Sequence, residues 1–174
     1  FTVPQSKTRI RSSKLHLRVE TIILGVNHLS CNSMEINELR KLVGNLDPMN
    51  ENAYLENSRL LLQNKEAALP FLLEAMVEPR RKKTGKTGND NEDQREGVIL
   101  TIGRTKDQAA VKPLIALWET TRAEDWSNKI AIEGRIVQAL REIGGEEVRI
   151  FFTDNFDHLG GMMAKMTARG FLRG

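Results

Sequence analysis

The sequence predicts an all-α fold, a short α-solenoid of about four antiparallel helix pairs, preceded by an irregular basic arm. Two observations carry this. Ala67-Ala68-Leu69 is followed by Leu72, Leu73 and Met76, and Ala109-Ala110-Val111 by Leu114, Ile115 and Trp118. Both sets step i, i+3, i+4, i+7, which gathers apolar side chains into one stripe of a 3.6-residue helix. They are offset by 42 residues (67 against 109), a spacing found in helical arrays. The second observation is a pair of Ile-Gly stops, Ile102-Gly103 and Ile143-Gly144, each closing an apolar-periodic run. Charged residues at 28% and aromatics at only 5% suit such an array better than a β-sandwich.

The chain divides into an arm, residues 1–30, and a helical region, residues 31–174. In the arm, Lys7, Arg9, Arg11, Lys14 and Arg18 precede the first acidic residue, Glu20. The first helix is expected from about Asn32-Ser33, with Ser33 as N-cap and Glu35 in the first turn. Its stripe is Leu39, Leu42, Val43 and Leu46, and Asp47-Pro48 ends it, because proline pushes its predecessor out of the α region. A second helix, Asn50 to Gln63, is expected to bury Leu55 and Leu62. The third carries the Leu69 to Met76 stripe with Pro70 in its first turn, where a missing N–H costs nothing. Pro79 closes it, and a polar loop runs from Arg80 to Asp90.

The fourth helix, about Asn91 to Ile102, buries Val98, Ile99 and Ile102, with Gly103 as its C-cap. The fifth spans about Asp107 to Thr121. The sixth, Asn128 to Ile143, carries the stripe Ile132, Ile136, Val137, Leu140 and Ile143 before the Gly144-Gly145 stop. Gly97 and Gly134 lie inside the fourth and sixth helices, where each costs about 1 kcal/mol relative to Ala. Close helix packing is the expected reason for both. A seventh helix offers Val148, Phe151 and Phe152. An eighth, after Gly160-Gly161, offers Leu159, Met162, Met163 and Met166, and is expected to be a flexible cap on the core.

The order from Asn91 to Val148 resembles the HEAT-like repeat of the phycobilin-lyase type, which alternates an A-V-x-x-L-I helix with a helix closing on Ile-Gly. The resemblance covers about residues 65 to 152. It implies a HEAT-like helical array and a binding role, and no catalytic residue is carried over, since one repeat serves many functions.

Candidate chemistry is sparse. Gly85-Lys86-Thr87 ends like a phosphate-binding loop, but the position of the required earlier glycine is Arg80 and no strand precedes it. The surrounding cluster, Arg80, Arg81, Lys82, Lys83 and Lys86, followed by Asp90, Glu92 and Asp93, reads either as a solvated loop or as a docking point for an acidic protein surface or a phosphate backbone. His16, His28 and His158 lie apart from one another and from any adjacent Glu. Nothing here therefore matches the repeated His-Glu pairs that hold the di-iron site of deoxyhypusine hydroxylase, a HEAT-like enzyme. Trp118 and Trp126, with Asp125, are the residues to compare with the carboxylate and aromatics of HEAT-like DNA glycosylases. Trp118 falls on the apolar stripe, where core packing is expected. Cys31 is the single cysteine, so no intrachain disulfide forms. The net charge of +3 comes from interspersed acids and bases and does not indicate nucleic acid. No apolar run approaches the roughly 18 residues of a membrane span.

The expected function is a non-enzymatic scaffold or accessory subunit, without cofactor or metal, that binds protein subunits of a larger complex. Its candidate binding residues are the basic loop together with Arg95 of the fourth helix and Arg135, Gln138 and Arg141 of the sixth. The alternative is a phycobilin-lyase-like tetrapyrrole chaperone. A leading Phe, Pro4 and a basic, Ser-rich run make the arm similar to plastid-targeting sequences of algae with secondary plastids. That similarity implies a plastid location, with the mitochondrion as the alternative, and a photosynthetic complex, with peripheral contact to a membrane assembly, as the setting.

Overall fold

The computed structural model describes residues 34–78, 92–123 and 129–174, and the regular elements among them are all helical. The arm, the basic loop, Asp125 and Trp126 lie outside the described residues. Eight α-helices are present among the described residues: α1 Ile36–Gly44, α2 Glu51–Gln63, α3 Lys65–Val77, α4 Glu92–Thr105, α5 Val111–Ala123, α6 Lys129–Ile143, α7 Glu146–Asn155 and α8 Met162–Arg173. Short 3-10 turns, Gln108–Ala110 and Phe156–His158, precede α5 and follow α7. None of the described helices is long and apolar enough to cross a membrane.

The expected stripes of the central helices are buried. Val98, Ile99 and Ile102 of α4, and Ile132, Ile136, Val137 and Leu140 of α6, are fully enclosed, with Ile143 nearly so. The α4–α6 pair is the most extensive contact in the molecule, and α3, α5 and α8 pack around it. It is close because Gly103 crosses α6 at Ala139: a Cβ on Gly103 would lie 2.6 Å from Ala139 Cα. Gly103 is therefore a packing residue and not the expected C-cap. The helix runs on to Thr105 and stops at Lys106, whose φ is +55°. Gly97 also answers to packing, since a methyl there would collide with the Leu46 carbonyl. Gly134 does not: a Cβ there meets nothing within 4 Å. At the end of α6, Gly144 and Gly145 both take positive φ, +71° and +94°, and make the expected stop.

The outer elements depart further from expectation. Helix α1 begins at Ile36 behind Glu35 and ends at Gly44, short of Asp47-Pro48. Leu46 is nevertheless fully buried, as part of the turn that passes under Gly97 of α4. In α2 the buried side is Tyr54, Ser58 and Leu61, one residue out of phase with the expected Leu55 and Leu62. Ser58 is tolerated inside because its hydroxyl donates to the Leu55 carbonyl at 3.1 Å. Leu55 is 48% exposed. It lines a shallow cleft of about 350 Å³ with Leu62, Arg59 and Arg104.

Helix α3 follows α2 after the single residue Asn64, so Pro70 lies inside the helix and not in its first turn. The Glu66 carbonyl there has no i+4 N–H to accept from, a cost that burial of Leu69, Leu72, Leu73 and Met76 offsets. At the other end, α7 buries Val148, Phe151 and Phe152 as expected, whereas α8 turns its methionines outward. Met162, Met163 and Met166 are 77%, 72% and 58% exposed, and Ala164 and Ala168 face the core instead. Small residues on that side let α8 sit close to α6, leaving the methionines outside while Phe171 and Leu172 pack against the core. The helix still covers the core, through Ala164, Ala168, Phe171 and Leu172, but its methionines take no part in that cover.

Candidate functional site

Helix α6 lies between α4 on one side and α8 on the other. Burial of its apolar stripe sets the opposite arc free, and that arc carries Arg135, Gln138 and Arg141, three of the expected binding residues. Gly134, with open space where a side chain would be, lies on the same arc.

The three side chains differ in how far they are held. Arg135 Nε donates to Glu96 Oε2 of α4 at 2.9 Å, and the arginine stays 41% exposed against 15% for the glutamate. Gln138 Nε2 donates to Glu142 Oε1 at 3.3 Å. Arg141 is exposed one turn further on. The row is thus a polar edge in which one cation is tied to the neighbouring helix and another is open to a partner. Its arginines are suited to bidentate pairing with carboxylates.

Arg95 does not belong to this edge. It is only 5% exposed and donates to the Glu78 carbonyl, which closes the C-terminal end of α3. Sequence periodicity does not separate the two roles, because an arginine that caps a neighbouring helix and one that faces a partner occupy similar positions. Arg80, Arg81, Lys82, Lys83 and Lys86 lie outside the described residues.

A polar centre that sequence reasoning passed over lies on the other side of α6. Glu133 is 3% exposed, and its Oε1 accepts hydrogen bonds from Trp118 Nε1 and from the Gly160 backbone N–H, both at 2.8 Å. One carboxylate thereby ties α5, α6 and the connection into α8. The Gly160 position has no room for a side chain, because a Cβ would collide with Glu133 Oε2. Trp118 is a core residue, as expected, 2% exposed, with the Phe151 ring edge-on at 5.0 Å and the Arg122 guanidinium 4.6 Å from its ring centre. The signal was present: Glu133 falls at i−4 from Val137 and i−7 from Leu140, a charge on an apolar stripe. A buried charge in that position requires partners.

Away from this surface, hydrogen bonding from Arg59 holds the exposed Glu56 carboxyl on α2 below its ordinary value. Among the described residues no cluster of three or more His, Cys, Asp or Glu side chains is arranged to hold a metal ion. Comparison of the chain with protein-family models, with curated proteins and with solved structures gave no match.

Proposed function

We propose that the chain is a short α-solenoid of HEAT-like repeats that serves as a non-enzymatic scaffold or accessory subunit, binding protein along the open edge of α6. The observation that carries this reading is the row Arg135, Gln138 and Arg141, which stands outside the core on the helix between α4 and α8. The packing order supports the repeat: α2 meets α4, α4 meets α6 and α6 meets α8, while α1 meets α3 and α5 meets α7 on the flank. In such a stack each helix pair covers its neighbour and one edge remains for partners. The basic loop, Arg80, Arg81, Lys82, Lys83 and Lys86, supplies a second contact, to an acidic protein surface.

The setting belongs to the same proposal: a plastid, or alternatively a mitochondrion, with the protein as part of a larger assembly such as a photosynthetic complex. Mass spectrometry of what co-purifies with the native protein tests the scaffold. A recurrent, stoichiometric set of protein subunits is the expected result, weakened when Arg81, Lys82 and Lys83 are neutralised together. A bound bilin with a shifted absorption band, or bilin transferred to an acceptor protein, would overturn it in favour of a tetrapyrrole chaperone. For the location, residues 1–19 behind their native upstream sequence are fused to a fluorescent reporter. Diffuse cytosolic fluorescence defeats the organellar reading.

A further inference from the structure

The outward faces of α6 and α8 form one surface that is apolar at one end and cationic at the other. The two helices run in parallel register. At their starts, a Cβ on Gly161 would lie 3.1 Å from Ile130 Cγ2, and at their ends one on Gly144 would lie 3.8 Å from the Phe171 ring. Ile130, 68% exposed, and Met162 and Met166, 77% and 58% exposed, therefore gather at the N-terminal end. Arg141, Arg169 and Arg173 stand exposed at the C-terminal end. Ile130 to Arg141 and Met162 to Arg173 are each eleven residues apart, about 16 Å along a helix.

On α8 the charge is one-sided, and Glu142, which adjoins Arg141 on α6, is engaged with Gln138. No Asp or Glu occurs from His158 to Gly174, and among the described residues no carboxylate pairs with any of the three arginines. Arg169 stacks on the Phe156 ring at 5.5 Å, which positions its guanidinium without neutralising it.

Resting on the scaffold reading above, we propose that this α6–α8 surface docks an amphipathic helix of a partner protein, whose apolar anchors seat on Ile130, Met162 and Met166 and whose acidic residues, two to three turns away, meet Arg141, Arg169 and Arg173. Two features favour a helix over a bilayer. An interfacial helix keeps an apolar face along its whole length, with basic residues beside it at one depth. Here the apolar and cationic groups are segregated end to end, which matches a directional ligand with spaced anchors. The molecule also uses this division within itself: α4 meets α6 through the Gly103–Ala139 contact and, two turns earlier, through Glu96 and Arg135. Methionine suits the apolar end because its unbranched, polarisable side chain adapts to a partner's shape.

The test uses the full chain with ¹³C-methyl-labelled methionine, followed by NMR during titration with two synthetic helical peptides. One carries two Leu a turn apart followed, two turns on, by three Glu; the other replaces the Glu with Lys. Saturable shifts of the Met162 and Met166 methyl signals with the Glu peptide are expected, and R169E/R173E should weaken that peptide at least about tenfold while admitting the Lys peptide. Equal binding of both peptides, or no saturable shift with the Glu peptide, overturns the proposal. Two further outcomes also overturn it by naming another occupant. One is methyl shifts with phosphatidylserine vesicles but not with the peptide; the other is a concentration-dependent doubling of mass abolished by M162S/M166S. If co-purifying subunits persist with I130S/M162S/M166S in the chain, this surface is wrong and the scaffold reading stands; if no subunit is recovered with either chain, the scaffold reading itself fails.

Discussion

The contact of α4 with α6 and the contact of α6 with α8 both rely on small residues, yet they leave opposite results behind. At α4–α6, Gly103 meets Ala139, Glu96 meets Arg135, and the larger apolar side chains of both helices, Ile130 apart, are taken up by the core. At α6–α8, Ala164 and Ala168 make the approach, and the three methionines of α8 remain outside. A small residue on a helix face therefore has two consequences. It brings a neighbour close, and it decides which side of the helix its long residues are left on. The first pair is closed on both sides; the second is closed on one.

That contrast can be broken at its fastening point. Glu133 holds Trp118 and Gly160 together, and Glu133→Ala leaves one buried and one part-buried N–H donor unpaired. A loss of about 3 kcal/mol of stability is expected by urea unfolding. Glu133→Gln keeps a carbonyl oxygen that accepts from both donors and should cost about 1 kcal/mol or less. Equal losses for the two variants would show that the carboxylate's charge, and not its geometry, does the holding.

Three glycines sharpen the comparison. Gly97→Ala and Gly103→Ala force a methyl into the Leu46 carbonyl and into Ala139 respectively, and each is expected to cost about 2 kcal/mol, overpacking outweighing the gain in helix propensity. Gly134→Ala, on the open arc, should instead stabilise by up to about 1 kcal/mol. Thermal unfolding of the three variants side by side distinguishes a sign change from a uniform effect.

Tyr54 provides a smaller test inside α2. Its ring is buried beneath Arg104, 5.3 Å from the guanidinium, and among the described residues its hydroxyl has no hydrogen-bond partner. Tyr54→Phe removes that orphan and should raise stability by about 1 kcal/mol. At the bottom of the scale, replacing Met162, Met163 and Met166 with Ser should change stability by less than about 0.5 kcal/mol, because no core contact is lost. A loss of several kcal/mol from the methionine triple variant would mean that the methionines pack in the core after all.

These differences also mark how far the sequence could be read. In α4, α6 and α7 the apolar residues at 3.6-residue spacing define a single side, and the buried residues they name are those enclosed in the structure. In α2 the apolar residues Tyr54, Leu55, Leu61 and Leu62 straddle two adjacent stripes, and periodicity alone does not choose between them. The choice fell to Tyr54 and Leu61 because α2 turns that side toward α3 and α4. Of the candidate binding residues, Arg135, Gln138 and Arg141 were legible as the complement of a strong stripe. Arg95 was not, since its role as a cap depends on where α3 ends in space.

By itself, then, the sequence determined that the described regions are helical, where most of their helices run and which sides of the central ones are apolar. Those properties follow from propensity, turn residues and the period of the pattern, all of which act over a few residues. Tertiary structure alone decided that Gly103 is a crossing point and not a stop, that Glu133 is a buried tie, and that the methionines of α8 face out. Each of these depends on a partner distant along the chain: Ala139 for Gly103, Trp118 and Gly160 for Glu133, and α6 for the small face of α8. A local pattern states what a side chain prefers, and only the packed neighbour states what it meets.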